Sequence, residues 1–322
     1  MNSENYLKHS KKIKYMGPLF IVGCPRSGTS MLLRLINNIK SVKLIAGETS
    51  FLSLVYGRRL AYGKIGCKRN LTFLKKYFIN RSKKKTEWRD HFTFNKWISE
   101  FKKFNIHNYS SLYIALMKSF VKENYELKGR IYIGSKNPTY LFYKDLLLRF
   151  TPNAKFINII RDGRATTSSM INIDLGANNI IDAILLWKKY INLANNYEKK
   201  IPTKFLNLYY ENIIQDPKNS IKKICDFLNV PFDISFIEFQ ERNHTGLSSY
   251  KRNNIKGFDE MKIDLYKKVL SRKQITYLES IAFDELTKHG YLSNRTEIIK
   301  LSKNLTSYIS KRENKLNRTI YL

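Results

Sequence analysis

Residues 19–30, which read Leu-Phe-Ile-Val-Gly-Cys-Pro-Arg-Ser-Gly-Thr-Ser, constrain the fold more than any other segment of this chain. A short apolar run, typical of a buried strand, passes into a turn that contains Gly23 and Gly28, and a helical pattern follows. Such a corner directs successive backbone N–H groups and the positive end of a helix dipole at one point, where they can bind an anion. The segment therefore predicts a phosphate-binding loop, and an ordinary strand-turn-helix corner is the alternative.

The loop differs from the Walker A pattern, Gly-x4-Gly-Lys-Ser/Thr, at one informative position. Thr29 stands where the lysine that binds the β- and γ-phosphates would be. This difference disfavours nucleoside triphosphate hydrolysis and a magnesium-dependent P-loop kinase, which is the nearest competing enzyme. Arg26, inside the loop, offers another cation that can stabilise charge on a leaving phosphate.

Strand-like and helix-like patterns alternate along the chain. Short apolar, β-prone runs predict four strands at 19–23, 131–134, 156–160 and 205–209. Helical periodicity predicts helices at 30–39, 182–199, 217–228 and 271–289. The alternation predicts an α/β fold, a P-loop-like parallel sheet flanked by helices.

The same patterns predict one domain over residues 16–294. Lys- and aromatic-rich helical segments interrupt the strand rhythm at 56–130, and we expect a helical insertion there, over the edge of the sheet, where a substrate could be selected. Residues 1–15 and the polar, basic tail at 295–322 show little apolar periodicity, so we expect both ends to be loosely held.

The chain is strongly basic, with 58 Lys and Arg against 26 Asp and Glu and a formal net charge of +32. This charge would attract a phosphate-rich donor, an acidic acceptor, nucleic acid or anionic lipid, although frequent Lys, Asn and Ile also suggest a coding bias. Interleaved Lys and aromatic residues at 75–85 suggest a nucleic-acid-binding module as a second class. No RNA- or DNA-binding signature accompanies them, so we expect no nucleic-acid partner.

The three cysteines have no metal-ligand spacing, and no run approaches eighteen apolar residues. We therefore expect no metal, no membrane span and a cytoplasmic location. The oligomeric state is left open, with a dimer as one option.

A second segment predicts another anion contact. The strand-like run that ends at Ile160 is followed by Arg161-Asp-Gly-Arg164, and Ser169 lies eight residues beyond the first arginine. An arginine at the carboxyl end of a strand and a hydroxyl early in the next helix can converge on one anion. A surface ion pair at a turn is the simpler alternative.

Both segments resemble the PAPS-dependent sulfotransferases, in which PAPS is 3′-phosphoadenosine 5′-phosphosulfate. The residues that resemble the family's 5′-phosphosulfate loop are Pro25, Arg26, Ser27, Gly28, Thr29 and Ser30. Arg161 and Ser169 match its 3′-phosphate segment. Together with 47–49 and 136–138, these segments are most similar to the protein-tyrosine sulfotransferases. Residues 209–228 resemble sulfotransferases generally, and the whole resemblance covers roughly residues 18–232. It implies the sulfotransferase fold, PAPS as sulfonate donor and adenosine 3′,5′-bisphosphate as product.

Three residues are candidates for chemistry at the acceptor. Glu48 follows the first helix and a short return segment, and a carboxylate there could take the proton of an acceptor hydroxyl. The resemblance implies that Lys136 stabilises the oxygen that bridges sulfur and phosphate. Arg26 would then stabilise the charge on the departing phosphate. A helix-entry carboxylate at Glu48 and a solvated lysine at position 136 are the alternatives.

Two further contacts with the nucleotide are expected. Tyr210 follows the fourth predicted strand and could pack near the adenine, although a half-buried sheet aromatic explains it nearly as well. Basic residues at 250–252 or 256–257 could complete the 3′-phosphate site, and the sequence does not choose between them.

The acceptor is the least constrained part of the prediction. The cationic surface suits tyrosines in an acidic peptide, and it equally suits the hydroxyls of an anionic carbohydrate or a glycolipid. The expectation is therefore O-sulfonation of a hydroxyl, with peptide tyrosine first and a glycan as the alternative.

Overall fold

A computed structural model describes residues 13–45, 56, 106–124, 129–171, 177, 179–238, 258–293 and 298–318. Five strands form one sheet in which every pair is parallel, in the spatial order β2-β3-β1-β4-β5. The strands are β1 Lys14–Gly23, β2 Val42–Ile45, β3 Arg130–Lys136, β4 Lys155–Ile160 and β5 Phe205–Tyr209. The first strand therefore lies at the centre of the sheet.

Helices follow the strands and cover both faces of the sheet. In chain order the helices in the described ranges are α1 Thr29–Asn38, α2 Tyr109–Asn124, α3 Lys144–Phe150, α4 Gly163–Ile171, α5 Ile180–Lys200, α6 Tyr210–Gln215, α7 Pro217–Leu228, α8 Met261–Asp264, α9 Tyr266–Val269, α10 Arg272–Ile281, α11 Phe283–Lys288 and α12 Lys303–Arg318. Short 3-10 helices occur at Pro138–Tyr143 and Ile234–Ile237. None of the helices in these ranges is long and apolar enough to cross a membrane.

The side chains of β1 point alternately to the two faces of the sheet, which explains why helices cover both faces. Phe20 belongs to a buried apolar cluster that includes residues of α2 and α5, whereas Leu19 and Ile21 belong to a second cluster that includes residues of α1 and α7. Successive strand residues point to opposite faces, so a strand that is apolar throughout must be buried on both. The predicted α/β fold with a parallel sheet is confirmed.

Some element bounds differ from the sequence prediction. The strand at 205–209 and the helix at 217–228 agree with the prediction, and the other predicted strands extend further toward the amino terminus. The sequence pattern does not predict β2, which is only four residues long. The helix predicted at 271–289 divides at Ala282, where the Ile281 carbonyl accepts a hydrogen bond from Lys188 Nζ at 3.0 Å.

The expectation of a loosely held tail is wrong for residues 303–318. These residues form α12, whose Ile309 is buried, and Arg312 makes an ion pair with Asp182 at the start of α5. Leu305, Ile309 and Leu316 follow helical spacing and pack on the core, a pattern that was present in the sequence. Within the predicted insertion at 56–130 the structure describes α2 and a few neighbouring residues, and the rest lies outside the described residues.

Gly134 allows the closest approach in the sheet. It pairs with Leu19 across β3 and β1, and a Cβ atom at position 134 would lie 1.7 Å from the Leu19 carbonyl oxygen. Because that oxygen belongs to the central strand, neither backbone can move without disturbing its other neighbour.

Gly134→Ala is therefore expected to lower the free energy of unfolding by about 3 kcal/mol, because the added methyl group overpacks two paired strands. Urea denaturation followed by circular dichroism measures the change. Gly129→Ala is the control, since a Cβ there meets nothing within 4 Å and costs only its positive φ of 72°, which is about 1 kcal/mol. Equal losses for the two variants would contradict the close-approach argument.

Candidate functional site

The loop between β1 and α1, residues 23–30, lies at the carboxyl end of the central strand. Gly23 and Gly28 have φ values of 142° and 99°, and the Ser27 amide donates to the Cys24 carbonyl at 3.1 Å, which closes the turn. The first N–H groups of α1 have no acceptor within the helix. They carry the positive end of the helix dipole, so this loop has the groups that an anion needs.

Arg26 is held in an unusual backbone conformation. Its φ is 72°, in the left-handed region, which costs a non-glycine residue about 1 kcal/mol. The Arg26 carbonyl accepts a hydrogen bond from Arg161 Nη1 at 3.2 Å, and Arg26 Nε donates to Ser169 Oγ at 3.1 Å. These contacts offset the strain and fix the direction of the guanidinium.

The β4–α4 turn, residues 161–164, meets this loop directly. Arg26 and Ser169 are 143 positions apart in the chain and share a hydrogen bond. The Arg161 guanidinium carbon lies 4.4 Å from the centre of the Tyr210 ring, and a Cβ at Gly28 would lie 2.6 Å from Tyr210 Cδ2. Tyr210 is therefore packed between the two segments, and the structure brings together the predicted residues of both.

Two polar atoms in this corner lack protein partners. Within the part of the chain that the structure describes, the Ser27 hydroxyl and Arg161 Nε are buried and have no hydrogen-bond partner. Buried polar atoms are almost always hydrogen-bonded, so atoms left over beside a row of helix-start amides fit a bound anion. The residues present therefore suit a ligand with two anionic groups.

Lys136 lies at the carboxyl end of β3, beside the same loop. It pairs with Ile21 of β1, and its exposed fraction is 6%. The following residue, Asn137, donates its amide to the Ile21 carbonyl at 3.1 Å, so the end of β3 is tied to the strand that carries the loop. The structure thus places this lysine at the edge of the sheet where the sequence predicted it.

Glu48 and the late basic candidates at 250–252 and 256–257 lie outside the described residues. Their roles stay predictions.

A buried charged network lies behind the β4–α4 turn. The Arg164 guanidinium donates to both carboxylate oxygens of Asp162, most closely at 2.7 Å from Nη2, and it also donates to Glu279 of α10 at 2.5 Å. Burial disfavours the charge of Arg164, but the hydrogen bonds and charge of Asp162, with a further bond from Glu279, outweigh it and raise the pKa of the guanidinium. Arg164 therefore stays charged.

Glu211 holds the turn from the other side. Its carboxylate accepts the Asp162 amide at 3.0 Å and the Tyr291 hydroxyl at 2.9 Å. Burial raises the pKa of the Glu211 carboxyl, against the lowering effect of those two hydrogen bonds.

Sequence reasoning missed several contacts of Arg161. Its Nη2 donates to the Lys262 carbonyl at 2.6 Å, and its own carbonyl accepts from Trp187 Nε1 at 2.9 Å. The partner at position 262 is a main-chain oxygen, so no pattern of side chains in the sequence predicts this contact. A tryptophan in an amphipathic helix predicts a buried side chain. The carbonyl to which its Nε1 donates is known only from the three-dimensional structure.

Comparison with known proteins identifies the family of this chain. A sequence model described as the sulfotransferase family matches residues 18–234, more than half of the chain. The chain therefore belongs to the sulfotransferase family, which is a family of enzymes. This confirms the family resemblance drawn from the sequence.

Two curated relatives of this chain carry the name protein-tyrosine sulfotransferase. A Caenorhabditis elegans protein named as a protein-tyrosine sulfotransferase is 30% identical over 132 residues, which is 39% of this chain and 50% of the relative. Protein-tyrosine sulfotransferase 2 of Gallus gallus is 24% identical over 253 residues, which is 74% of this chain and 60% of the relative. The chain thus spans half to 60% of the length of these two relatives.

A solved structure shares the fold. The sulfotransferase domain from the curacin biosynthetic pathway superposes with a TM-score of 0.54 at 20% identity, covering 84% of this chain and 98% of that domain. At this identity the superposition supports the fold and no finer conclusion.

Proposed function

We propose that this chain transfers a sulfonate group from PAPS to an acceptor hydroxyl, with tyrosine in an acidic peptide as the first acceptor class. The observation that carries the proposal is the meeting of the β1–α1 loop with the β4–α4 turn and the following helix α4, through Arg26, Arg161 and Ser169. PAPS differs from ATP in carrying phosphate groups at both ends of its ribose, and two adjoining cationic turns suit such a ligand.

The β1–α1 loop would bind the 5′ end of the donor. The amides that follow Gly23 and the Ser27 hydroxyl would hold the 5′-phosphosulfate, and the Arg26 guanidinium would stabilise the charge that grows on the departing phosphate. The proposed set in this loop is Pro25, Arg26, Ser27, Gly28, Thr29 and Ser30.

The β4–α4 turn would bind the 3′ end. Arg161, whose Nε has no partner among the described residues, and the Ser169 hydroxyl would hold the 3′-phosphate. Tyr210 stacks on Arg161 and would fix its direction, and contact of the same ring with adenine stays a prediction.

Transfer itself needs a base and a cation. The Glu48 carboxylate would take the proton from the acceptor hydroxyl as its oxygen bonds to sulfur. The Lys136 ammonium would stabilise the bridging oxygen as the bond from sulfur to that oxygen breaks, leaving adenosine 3′,5′-bisphosphate. No step in this scheme uses a metal ion.

The acceptor assignment rests on relatives and charge. Both curated relatives are named as protein-tyrosine sulfotransferases, and the net charge of +32 favours peptides whose tyrosines are flanked by acidic residues. Membership of the sulfotransferase family disfavours the P-loop kinase and the nucleic-acid-binding module.

Arg161→Ala should remove the preference for a 3′-phosphate. We expect the wild type to bind adenosine 3′,5′-bisphosphate more tightly than adenosine 5′-phosphate, and the variant to lose about 10- to 100-fold in affinity for the bisphosphate alone, because a charge-assisted contact is lost. Isothermal titration calorimetry gives both constants. Arg130→Ala, at the opposite and exposed end of β3, is the matched control. A parallel loss for both nucleotides would contradict the assignment of Arg161.

Labelled PAPS tests the transfer and the acceptor together. We expect label in an acidic tyrosine peptide and none in its phenylalanine counterpart, whereas label only in a glycan or glycolipid panel would overturn the peptide assignment.

Glu48→Ala should lower turnover at least about 100-fold, because the proton of the acceptor hydroxyl then has no base to take it, while bisphosphate affinity changes less than about twofold. Unchanged turnover would remove Glu48 from the mechanism.

A further inference from the structure

Arg164 is the centre of a buried ion-pair network that joins two regions of the chain. The exposed fractions of the Arg164, Asp162 and Glu279 side chains are 10%, 8% and 15%. Arg164 donates to both carboxylates and, through Nη2 at 3.0 Å, to the Tyr291 carbonyl. It therefore ties the β4–α4 turn to α10 and to Tyr291, which follows the end of α11.

The same turn carries Arg161, three residues earlier. The Arg164 amide donates to Asp162 Oδ1 at 2.8 Å, so the backbone and the guanidinium of Arg164 hold the same carboxylate. Arg161 in turn donates to the Lys262 carbonyl. Both arginines of this short turn thus contact residues 258–293, Arg161 through Lys262 and Arg164 through Glu279 and Tyr291.

Burial makes this connection stiff. Water does not replace a lost partner readily at a site with so little exposure, so removal of one carboxylate charge leaves the guanidinium under-compensated. Asp162 would then be the remaining carboxylate partner of Arg164, and it lies in the same turn as Arg161.

We infer that Arg164 is a positioning residue for the 3′-phosphate site, and that α10 and the segment through Tyr291 belong to that site although they lie beyond the residues matched by the family model, 18–234. This inference rests on the proposed function. Arg164 acts through Arg161 and does not itself touch the donor.

Glu279→Gln tests the inference, and Glu285→Gln is its matched control. Glu285 of α11 has a side-chain exposure of 13%, close to that of Glu279, and it pairs with Lys188 of α5 instead of the turn. Both substitutions remove one carboxylate charge from the same C-terminal region. Only Glu279→Gln should weaken adenosine 3′,5′-bisphosphate, by about fivefold, with adenosine 5′-phosphate changed less than about twofold. Calorimetry measures both affinities, and urea denaturation measures stability.

The outcomes separate the two levels of the account. Equal nucleotide affinities for the two glutamine variants, or a loss shared by both nucleotides, would overturn the positioning role. If Glu279→Gln does not fold, Arg164→Lys, which keeps the charge and loses the two-pronged contact, must show the same selective loss. If the wild type does not bind adenosine 3′,5′-bisphosphate more tightly than adenosine 5′-phosphate, the proposed function itself is contradicted.

Discussion

Parallel pairing of β1 with β4 runs in register from Leu19 opposite Lys155 to Gly23 opposite Ile159. Because parallel strands end at the same edge of a sheet, the loop after β1 and the turn after β4 leave the sheet side by side. The contacts between Arg26, Arg161 and Ser169 depend on this pairing. A shift in register would separate the two turns and divide the site.

The site is stiffened from behind as well as from the sheet. Glu211 in the first turn of α6, Trp187 of α5 and Glu279 of α10 each hold part of the β4–α4 turn. Their hydrogen bonds are buried, so they replace water that the turn would otherwise recruit. In front of this support, Arg26 keeps a left-handed backbone that an isolated loop would lose. Catalytic sites that act through fixed charges need such preorganisation.

Local sequence patterns predict the parts of this molecule that are locally determined. The apolar run after Pro18 acts through its own side chains, and the two glycines of the loop and the proline that starts α7 act through their own backbone; the structure agrees with the sequence at all three. Arg161 and Ser169 could be placed because strand and helix phase fix where such residues lie.

Other features depend on partners far along the chain. The four residues of β2 become a strand because β3 lies beside them, and the break at Ala282 accompanies a bond from Lys188 to the preceding carbonyl. The carbonyl of Lys262 and the carboxylate of Glu279 reach the site only through the tertiary fold, and neither belongs to a local motif. The tail helix α12 is different, since its apolar residues already have helical spacing in the sequence, but its many charged residues favoured the prediction of a loose tail.

A crystal structure with adenosine 3′,5′-bisphosphate tests the central claim most directly, namely that one nucleotide spans both turns. The account predicts the 5′-phosphate against the amides at the start of α1 and the 3′-phosphate within hydrogen-bond distance of Arg161 and Ser169. A nucleotide whose 3′-phosphate points away from the β4–α4 turn, or one bound elsewhere on the basic surface, would contradict it.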